Sequence, residues 1–357
     1  MALSSAQGER ARLQEVRRVF DLAHPPERIA VVQATGLAEV LFVTPLVRTL
    51  KLAWPEAHLT LLTRPELAPV GACIPGVDVV QPFDSEGLDA GLGGVWRVAR
   101  ALGGPQMVLV PKPDDRRSAA LAWLTRAPTR VGVQSGLLGH LFTVKVPLRK
   151  REPLVERSMD LARALGMEGP TELVVSPPPE ELERMRAALG DEPSVGIVLG
   201  AEWKASCWPL EAHLELASRA SEAGLRPVLV GGQEDRPLAD EFQAKSKVRA
   251  LDLVGRTAVE TLCALSLLRV AYGGDAGWVH AARAVGTPTL LLFGPTDPGA
   301  HLLEYFAQAL RVGLDCQPCG QQAWKGCPLG HSDCLRKLEV DRVWGALSSL
   351  LACRGRE

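Results

Sequence analysis

The sequence predicts an α/β protein made of two doubly wound domains, each built on a parallel sheet. Short apolar runs alternate with longer amphipathic segments, which is the pattern of buried strands joined by crossover helices. The pattern occurs twice in a chain of 357 residues, which is long enough for two separate cores. A stiff stretch that is poor in hydrogen-bond donors, Ser176-Pro177-Pro178-Pro179, lies between the two halves and suits an interdomain linker.

The first half contains five short apolar runs that we interpret as strands, with three helical patterns between them. Because strand and helix alternate, successive strands are expected to be parallel and joined by right-handed crossovers. The strands are expected at residues 28–34, 59–63, 77–81, 107–110 and 130–133, and the helices at 38–53, 88–102 and 116–124.

The second half repeats this order. Strands are expected at residues 195–200, 227–231, 249–253, 268–272 and 289–293, and helices at 210–223, 237–245 and 259–267. The predicted division is an N-terminal extension (1–27), a first domain (28–175), a linker region (176–192), a second domain (193–338) and a C-terminal helix (339–357). Residues 4–20 are polar and charged and lack the apolar centre of a signal peptide, so we interpret them as an added amphipathic helix or a frayed extension.

The overall composition limits the classes of partner. The formal net charge is −1, which argues against a broad nucleic-acid surface. No apolar run reaches the roughly 20 residues that a membrane-spanning helix needs. With 46% hydrophobic residues, the chain is expected to be a cytoplasmic globule.

Residues 268–298 predict a phosphate-binding site. A short apolar strand ends at Gly273-Gly274, where the chain can turn tightly and approach a ligand without a Cβ in the way. Asp275 lies in the turn, and Ala276 and Gly277 open a helix whose free N–H groups and dipole suit a diphosphate. His280 follows one turn later. The segment has neither a P-loop lysine nor a GxGxxG pattern, so the kinase, GTPase and simple dinucleotide-binding interpretations lose their main support.

Two motifs here resemble a known family. The segments Asp275-Ala276-Gly277-Trp278-Val279-His280-Ala281-Ala282 and Gly294-Pro295-Thr296-Asp297-Pro298 are similar to those of the ADP-heptose:lipopolysaccharide heptosyltransferases, glycosyltransferase family nine. The resemblance extends from about Arg28 to Val343. It implies the GT-B fold, in which two Rossmann-like domains with parallel sheets face a central cleft. Ligands of such sheets bind beyond the carboxyl ends of the strands, where Glu39, Ala201, Glu234 and Asp275 are all expected.

The resemblance also implies the reaction. It is an inverting, metal-independent transfer of a heptose or related sugar from an ADP-sugar donor to a saccharide or glycolipid acceptor such as lipopolysaccharide core, without a cofactor. The protein would then act in the cytoplasm, and peripheral association with the inner face of the inner membrane stays open.

Glu39 is the expected catalytic base. The family pattern is Gly-Asp-x-x-x-x-x-Pro, whose aspartate resembles a general base for the acceptor hydroxyl, and counting back from Pro45 places Ala38-Glu39 at the Gly-Asp pair. A carboxylate is therefore retained on a side chain that is one methylene longer. The alternative is that Glu39 is a first-turn helix residue favoured by the helix dipole.

The donor-binding residues implied by the resemblance begin after the first strand of the second domain. Residues 195–209 are similar to the family segment Pro-Gly-Ala…Lys-x-Trp-Pro, which points to Ala201, Glu202, Lys204 and Ser206. Ser206 stands where the family has a phosphate-binding lysine. Lys204, two residues earlier, either reaches the same phosphate or is an ordinary exposed lysine.

Further donor contacts follow from three other segments. Glu234 resembles the family's ribose acceptor, or else it is a surface carboxylate. Thr257 lies in a loop that is similar to one bordering the base, or else it only caps a helix. Ala276 replaces a hydroxyl residue and keeps only its backbone contacts. Asp275 is expected to contact sugar hydroxyls or to order the turn, and His280 to contact the ligand or to be a core residue.

Four basic residues that follow strand ends of the first domain, Arg64, Lys112, Arg116 and Arg117, are candidates for binding an anionic acceptor, or else they are solvated surface charges. The replacements at Ala38-Glu39, Ser206 and Ala276 leave other functions open. These are a degenerate, non-catalytic nucleotide-sugar-binding protein, a GT-B sugar epimerase, and a transferase that acts on another glycan or on a small molecule.

The cysteines are concentrated near the end of the chain, at Cys316, Cys319, Cys327 and Cys334. The Cys-x2-Cys spacing suits a metal, but the second pair is too far apart for a common zinc ribbon. Disulfides are disfavoured in a reducing compartment. The segment resembles a cysteine-bearing loop of many family members, which implies a structural role. Free or packed thiols, a metal site and disulfides all stay open.

Overall fold

A computed structural model describes residues 25–134, 136–149, 153–201, 203–301 and 303–354. Most of the predicted N-terminal extension, residues 1–24, lies outside the described residues. The chain divides into two compact units between Thr171 and Glu172. Among the described residues, no helix combines the length and the apolar character needed to cross a membrane.

The first unit contains a six-stranded sheet in the order β3-β2-β1-β4-β5-β6, with every neighbouring pair parallel. Its strands are β1 (Arg28–Val32), β2 (His58–Thr63), β3 (Val79–Pro82), β4 (Met107–Val110), β5 (Thr129–Gln134) and β6 (Val144–Pro147). Its helices are α1 (Leu37–Leu41), α2 (Thr44–Ala53), α3 (Ala68–Gly71), α4 (Leu92–Ala101), α5 (Arg116–Leu124) and α6 (Leu154–Ala164), with 3₁₀ turns at Pro65–Leu67 and Gly136–Leu141.

The second unit repeats the topology, in the order β12-β11-β10-β7-β8-β9. Its strands are β7 (Ser194–Val198), β8 (Arg226–Val230), β9 (Leu251–Asp252), β10 (Val270–Gly274), β11 (Thr289–Leu292) and β12 (Ala307–Leu310). Its helices are α7 (Pro179–Leu189), α8 (Leu210–Glu222), α9 (Arg236–Lys245), α10 (Ala258–Leu267), α11 (Gly277–Ala284), α12 (Asp333–Arg336) and α13 (Val340–Arg354), with 3₁₀ turns at Lys204–Ser206, Gln233–Asp235, Pro298–Ala300 and Gly320–Ala323.

Each sheet has the Rossmann strand order when its strands are counted along the chain. In both units the first and fourth strands are neighbours, and the direction of winding reverses between them. The central strands are apolar and buried on both faces, as parallel sheets covered by helices require. Ligands of such sheets bind where the winding reverses, at the carboxyl ends of β1 and β4 in the first unit and of β7 and β10 in the second.

The structure corrects the helix that was expected at residues 38–53, because the chain breaks between α1 and α2. Pro45 has no N–H with which to bond the Leu41 carbonyl, and it takes the second position of α2, where that loss costs little. The Thr44 hydroxyl donates to the Leu41 carbonyl at 2.8 Å instead. The break leaves α1 as a separate short helix that carries Glu39.

Two further expectations differ from the structure. The predicted linker region, residues 176–192, contains α7, which packs on α10 within the second unit. Pro178 is the N-cap of α7 and Pro179 is its first residue, so the prolines begin a helix rather than an extended connection. The edge strands β6 and β12 were not predicted. They are only partly buried and therefore lack the continuous apolar run that marks the central strands.

The core of the second unit contains a histidine, and its burial predicts how stability depends on pH. His213 is 1% exposed and packs against Trp208 and Tyr272. Its Nδ1 lies 3.2 Å from the Tyr272 hydroxyl. Burial lowers the pKa of His213 to about 3. Since the unfolded chain binds this proton below pH 6.5 and the folded chain does not, the histidine's contribution to stability is complete above about pH 6.5 and declines as the pH falls toward 3.

We therefore expect the free energy of unfolding to fall by about 2 kcal/mol between pH 7 and pH 5 from His213 alone, at 1.36 kcal/mol per pH unit below 6.5. Urea denaturation of the wild type and of His213→Phe at both pH values measures this contribution. The variant should lose that part of the pH dependence, whereas His140→Phe, at an exposed histidine, should keep it. Equal pH dependence in the wild type and His213→Phe would contradict the assignment.

Candidate active site

The loops that follow β7 and β10 meet at the point where the second sheet reverses its winding. Gly274 ends β10, and a Cβ added there would lie 2.4 Å from the Ser206 carbonyl oxygen and 3.4 Å from the Ala201 Cβ. No side chain fits in this space, so the glycine lets the two loops touch. The structure thus brings the loop that carries Ala201 and Ser206 against the turn that carries Asp275, and these were predicted from two separate segments.

The helix that follows this turn leaves its first N–H groups for a ligand. Ala276 is the N-cap of α11 with extended backbone, and within the described chain no side chain caps the helix. The N–H groups of Val279 and His280 bond back to the Ala276 carbonyl. The preceding N–H groups and the positive end of the helix dipole are left at the turn, which is the arrangement that binds phosphates at helix N-termini.

Asp275 is held as a carboxylate by two histidines. Its Oδ1 lies 2.9 Å from His280 Nε2 and 3.5 Å from His301 Nε2, and the two imidazoles stack with their centroids 4.7 Å apart. Burial opposes ionisation here, but the hydrogen bonds from His280 and His301 outweigh it and hold the pKa of Asp275 well below its usual range. The turn therefore presents a negative charge beside the uncapped helix.

His280 is 1% exposed, and both of its ring nitrogens contact protein groups. Its Nε2 faces Asp275, and its Nδ1 lies 2.9 Å from Nη1 of Arg283. Burial is the main cause that lowers the pKa of His280, to about 4, so the ring is neutral at pH 7. The geometry gives this predicted donor-binding residue a place behind Asp275 rather than on the open surface of the site.

The ligating atoms of Asp275, His280 and His301 lie within 4.8 Å of one another, a spacing that is also found around metals. Two features favour a hydrogen-bond network instead. Both rings point at the same carboxylate oxygen, which occupies the position that an ion would need. The guanidinium of Arg283 adds a cation 2.9 Å from His280, which disfavours a second cation nearby. The absence of a metal from the reaction stays a prediction.

The loop after β7 places Lys204 and Ser206 differently. Lys204 begins a 3₁₀ turn and is exposed, whereas Ser206 is buried and its hydroxyl has no hydrogen-bond partner among the described residues. Glu202 lies outside the described residues. The exposure of Lys204 is compatible with both alternatives for this residue, a phosphate contact from the loop and an ordinary exposed lysine.

The loops after β8 and β9 border the same end of the sheet. Thr257 is the N-cap of α10 and forms a capping box with Glu260, so its role as a helix cap is confirmed, and a contact with the base stays a prediction. Glu234 is exposed. Asp235, which was not predicted as a site residue, is buried against Gly200 and Gly231 at the ends of β7 and β8. Burial, followed by the charge of Glu234, raises the pKa of Asp235 to about 6.

Glu39 lies in the first turn of α1, beyond the carboxyl end of β1. Its carboxylate folds back over the N-cap Gly36, where an added Cβ would lie 2.9 Å from Glu39 Oε2. This position suits a first-turn acid that interacts with the helix dipole, and it also places the carboxylate at the switch point of the first sheet. The geometry is compatible with both alternatives for Glu39.

A cavity of about 340 Å³ opens at the same end of the first sheet. It contains three of the four predicted acceptor-binding residues, Lys112, Arg116 and Arg117. The fourth, Arg64, forms ion pairs with Glu66 (2.5 Å) and Glu86 (3.7 Å), and Glu86 also lines the cavity. The remaining lining residues are Ala34, Thr35, Ser85, Asp114 and Asp115.

The four clustered cysteines, Cys316, Cys319, Cys327 and Cys334, are free thiols in the structure. Burial raises the pKa of Cys319 and Cys334, whereas the pKa of Cys327 is lowered, mainly by the backbone N–H of Ser332. Within the described chain, no three of these sulfur atoms come within 4.8 Å of one another. This arrangement agrees with the free-thiol alternative.

Comparisons with known proteins give the family. The model of glycosyltransferase family 9 (heptosyltransferase) matches residues 95–331. Lipopolysaccharide heptosyltransferase 2 of Salmonella typhimurium is 26% identical over 92% of this chain and 99% of its own length. Lipopolysaccharide heptosyltransferase 2 of Escherichia coli is 25% identical over 80% of this chain and 88% of its own.

Solved structures share the fold. A family 9 glycosyltransferase from Veillonella parvula matches with a TM-score of 0.79 and 22% identity, over 91% of this chain and 97% of that one. The ADP-heptose lipopolysaccharide heptosyltransferase II of Escherichia coli matches with a TM-score of 0.77 and 20% identity, over 92% and 99%. Together with the two repeated sheets, these matches confirm the predicted GT-B class of two Rossmann-like domains. Since the family model covers more than half of the chain, this protein is a glycosyltransferase that belongs to family 9.

Proposed function

We propose that this protein transfers a heptose from ADP-heptose to a saccharide acceptor of the lipopolysaccharide core, with inversion and without a metal. The observation that carries the proposal is the donor-type site of the second unit, where an ionised Asp275 stands beside the uncapped start of α11. The two relatives named above are both called lipopolysaccharide heptosyltransferase 2, which names lipopolysaccharide as their acceptor and heptose as the sugar they transfer. A structurally similar Escherichia coli heptosyltransferase (TM-score 0.70, 17% identity) was solved with ADP-2-deoxy-2-fluoro heptose.

In the proposed donor complex, the diphosphate lies against the first N–H groups of α11, which stabilise the charge that develops on the leaving ADP. Lys204 supplies a positive charge from the loop after β7. Asp275 uses Oδ1 for the two histidines, so its Oδ2 is the oxygen that accepts a hydrogen bond from a sugar hydroxyl. Glu234 and the loop at Thr257 border the nucleoside.

In the proposed reaction, the Glu39 carboxylate takes the proton from an acceptor hydroxyl and becomes a carboxylic acid. The hydroxyl oxygen forms a bond to the anomeric carbon, and the bond from that carbon to the phosphate oxygen breaks, so that ADP leaves with the electron pair. A single displacement of this kind inverts the anomeric centre. It needs the base on one face of the sugar and the stabilised leaving group on the other.

The acceptor is proposed to place an anionic group in the cavity that contains Lys112, Arg116 and Arg117. These three cations share the cavity with the carboxylates of Glu86, Asp114 and Asp115, and their ammonium and guanidinium donors suit the carboxylate or phosphate oxygens of an acceptor. Arg64 lies beside this cavity, where it forms an ion pair with the lining residue Glu86. A glycolipid acceptor would bring the protein to the cytoplasmic face of the inner membrane as a peripheral partner.

A second candidate function is a nucleotide-sugar-binding protein without transferase activity. The features that favour it are Ala38-Glu39 in place of a Gly-Asp pair, Ser206 in place of a lysine and Ala276 in place of a hydroxyl residue. Release of ADP from ADP-heptose, measured with and without the acceptor, separates the candidates. A transferase releases ADP only with the acceptor, a binding protein does not release it in either case, and an epimerase turns the donor over without the acceptor.

Lys204→Ala should weaken donor binding by about 1.5–3 kcal/mol, the range for a hydrogen bond to a charged group, which is roughly a 10- to 150-fold increase in Kd. The physical reason is the loss of an exposed cation from the 3₁₀ turn that also carries the buried Ser206. Calorimetric titration of ADP-heptose in EDTA measures the change. Lys247→Ala, at another exposed lysine of the same unit, is the matched control. An unchanged Kd in Lys204→Ala would mean that the site binds its phosphates without this lysine.

A further inference from the structure

A buried ion pair lies directly behind the donor-type site. Arg283, on α11, is 1% exposed, and its Nε donates to Glu304 Oε2 at 2.8 Å. The Glu304 side chain is 5% exposed. Burying two charges costs several kcal/mol, and apolar residues of similar volume are often at least as stabilising as a buried pair. Stability alone therefore does not explain why the pair is present.

The Arg283–Glu304 pair is connected to Asp275 by hydrogen bonds through His280. Nη1 of Arg283 lies 2.9 Å from His280 Nδ1, and a guanidinium can only donate, so Nδ1 must be the accepting nitrogen. The ring proton is then on Nε2, which lies 2.9 Å from Asp275 Oδ1. The order Glu304–Arg283–His280–Asp275 thus has a donor facing an acceptor at every step.

The surrounding charges keep this tautomer neutral. Within the described parts of the chain, the charged and titratable groups that face His280 include Asp275 from the turn after β10, His301 from the loop after β11, and Arg283 from its own helix, with Glu304 behind Arg283. A protonated His280 would place a second cation against the guanidinium. If the guanidinium were removed, Asp275 would favour the protonated ring.

We propose that Arg283 and Glu304 are positioning residues of the donor site, which hold His280 as a neutral Nε2–H donor and so fix the direction of the Asp275 carboxylate. The carboxylate is then oriented with Oδ1 toward the histidines and Oδ2 available to the donor. Glu304 is itself anchored on its other oxygen, which accepts from the Leu173 N–H at 3.4 Å. The identity of the ligand in this inference rests on the proposed function, but the arrangement of the side chains does not.

The first test needs no substrate. Two-bond ¹H–¹⁵N correlation spectra of histidine-labelled protein report the tautomer and the titration of His280. In the wild type we expect the neutral Nε2–H form from pH 8 down to pH 5.5. In the charge-balanced variant Arg283→Met with Glu304→Leu, we expect His280 to titrate inside this window. An Nδ1–H tautomer in the wild type, or the same titration in both proteins, would overturn the proposal.

The second test measures transfer from ADP-heptose across the same pH range. The double variant should lose at least 10-fold in kcat/KM for the donor, and its activity should fall at a higher pH than that of the wild type. If the double variant does not fold, Arg283→Gln, which removes the guanidinium cation from His280 Nδ1 and keeps a polar side chain, should shift the titration of His280 and the pH profile of transfer in the same direction. The matched control is Arg163→Met with Asp160→Leu, which removes a 2.9 Å pair from the first unit. If the pH profile of transfer shifts equally in the control, the Arg283–Glu304 pair has only a structural role.

The two tests separate the two claims. If the spectra show the expected tautomer and titration while the wild type transfers no heptose, the positioning role stands and the proposed function fails. If heptose is transferred while the spectra contradict the tautomer, the proposed function stands and the positioning role fails.

Discussion

Glu39→Gln should lower the rate of transfer by about 10²–10⁴, because it removes the general base. The amide is nearly the same size as the carboxylate, so the fold around Gly36 should be kept, although the Oε2 atom that approaches Gly36 is replaced or rotated. Donor affinity should stay within a few-fold, since Glu39 belongs to the first unit and the donor-type site to the second. Single-turnover transfer, combined with calorimetry of ADP-heptose, measures both quantities.

Glu183→Gln, at an exposed glutamate on α7, is the control for this substitution and should transfer heptose at the wild-type rate. Near-normal turnover in Glu39→Gln would assign the base elsewhere and leave Glu39 with its alternative role at the start of α1. A loss of donor binding in the variant would mean that Glu39 does not act as a base alone.

Asp275→Asn should lower kcat/KM for the donor by on the order of 10²–10⁴. The change removes the charge that accepts from His280 and the proposed bond from Oδ2 to the sugar, and charge-assisted hydrogen bonds are worth about 1.5–3 kcal/mol each. With its amide oxygen toward the His280 Nε2–H, the asparagine would present its N–H₂ to the sugar hydroxyl, as a donor in place of the accepting Oδ2. Steady-state kinetics with varied ADP-heptose measures the effect, and ADP affinity should fall less than the affinity for ADP-heptose.

Asp191→Asn, at an exposed aspartate before β7, should behave like the wild type. If Asp275→Asn weakens ADP and ADP-heptose equally, Asp275 orders the turn but does not contact the sugar. That result would decide between the two roles that the sequence left open for this residue.

The sequence predicted the fold class well because its main signals are local. Apolar runs and glycine turns mark β1, β7 and β10, and their order determines a parallel sheet. The same local signals missed β6 and β12, which are edge strands with one face open, and they did not reveal α7, because three prolines in a row are read as a linker. Pro178 and Pro179 in fact begin a helix.

The candidate site was predictable where it follows a strand, and not where it depends on distant contacts. Asp275 and Ala276 could be placed at the turn after β10 because that turn is visible in the sequence. His301 and Glu304 come from a loop after the next strand, and only the fold brings them to Asp275 and Arg283. Arg283 lies on the helix of the predicted site, yet an arginine in an apolar helix gives no sign of its buried partner.

The most direct test of the central claim is the release of ADP from ADP-heptose in the presence of EDTA, measured with and without a heptose-deficient lipopolysaccharide core acceptor. We expect release of ADP that depends on the acceptor, equals the amount of heptose found on the acceptor by mass spectrometry, and proceeds without divalent metal. UDP-sugars and GDP-sugars should support much less transfer. Release that requires a metal, or an equal or better rate with a UDP-sugar, would contradict the assignment of the donor.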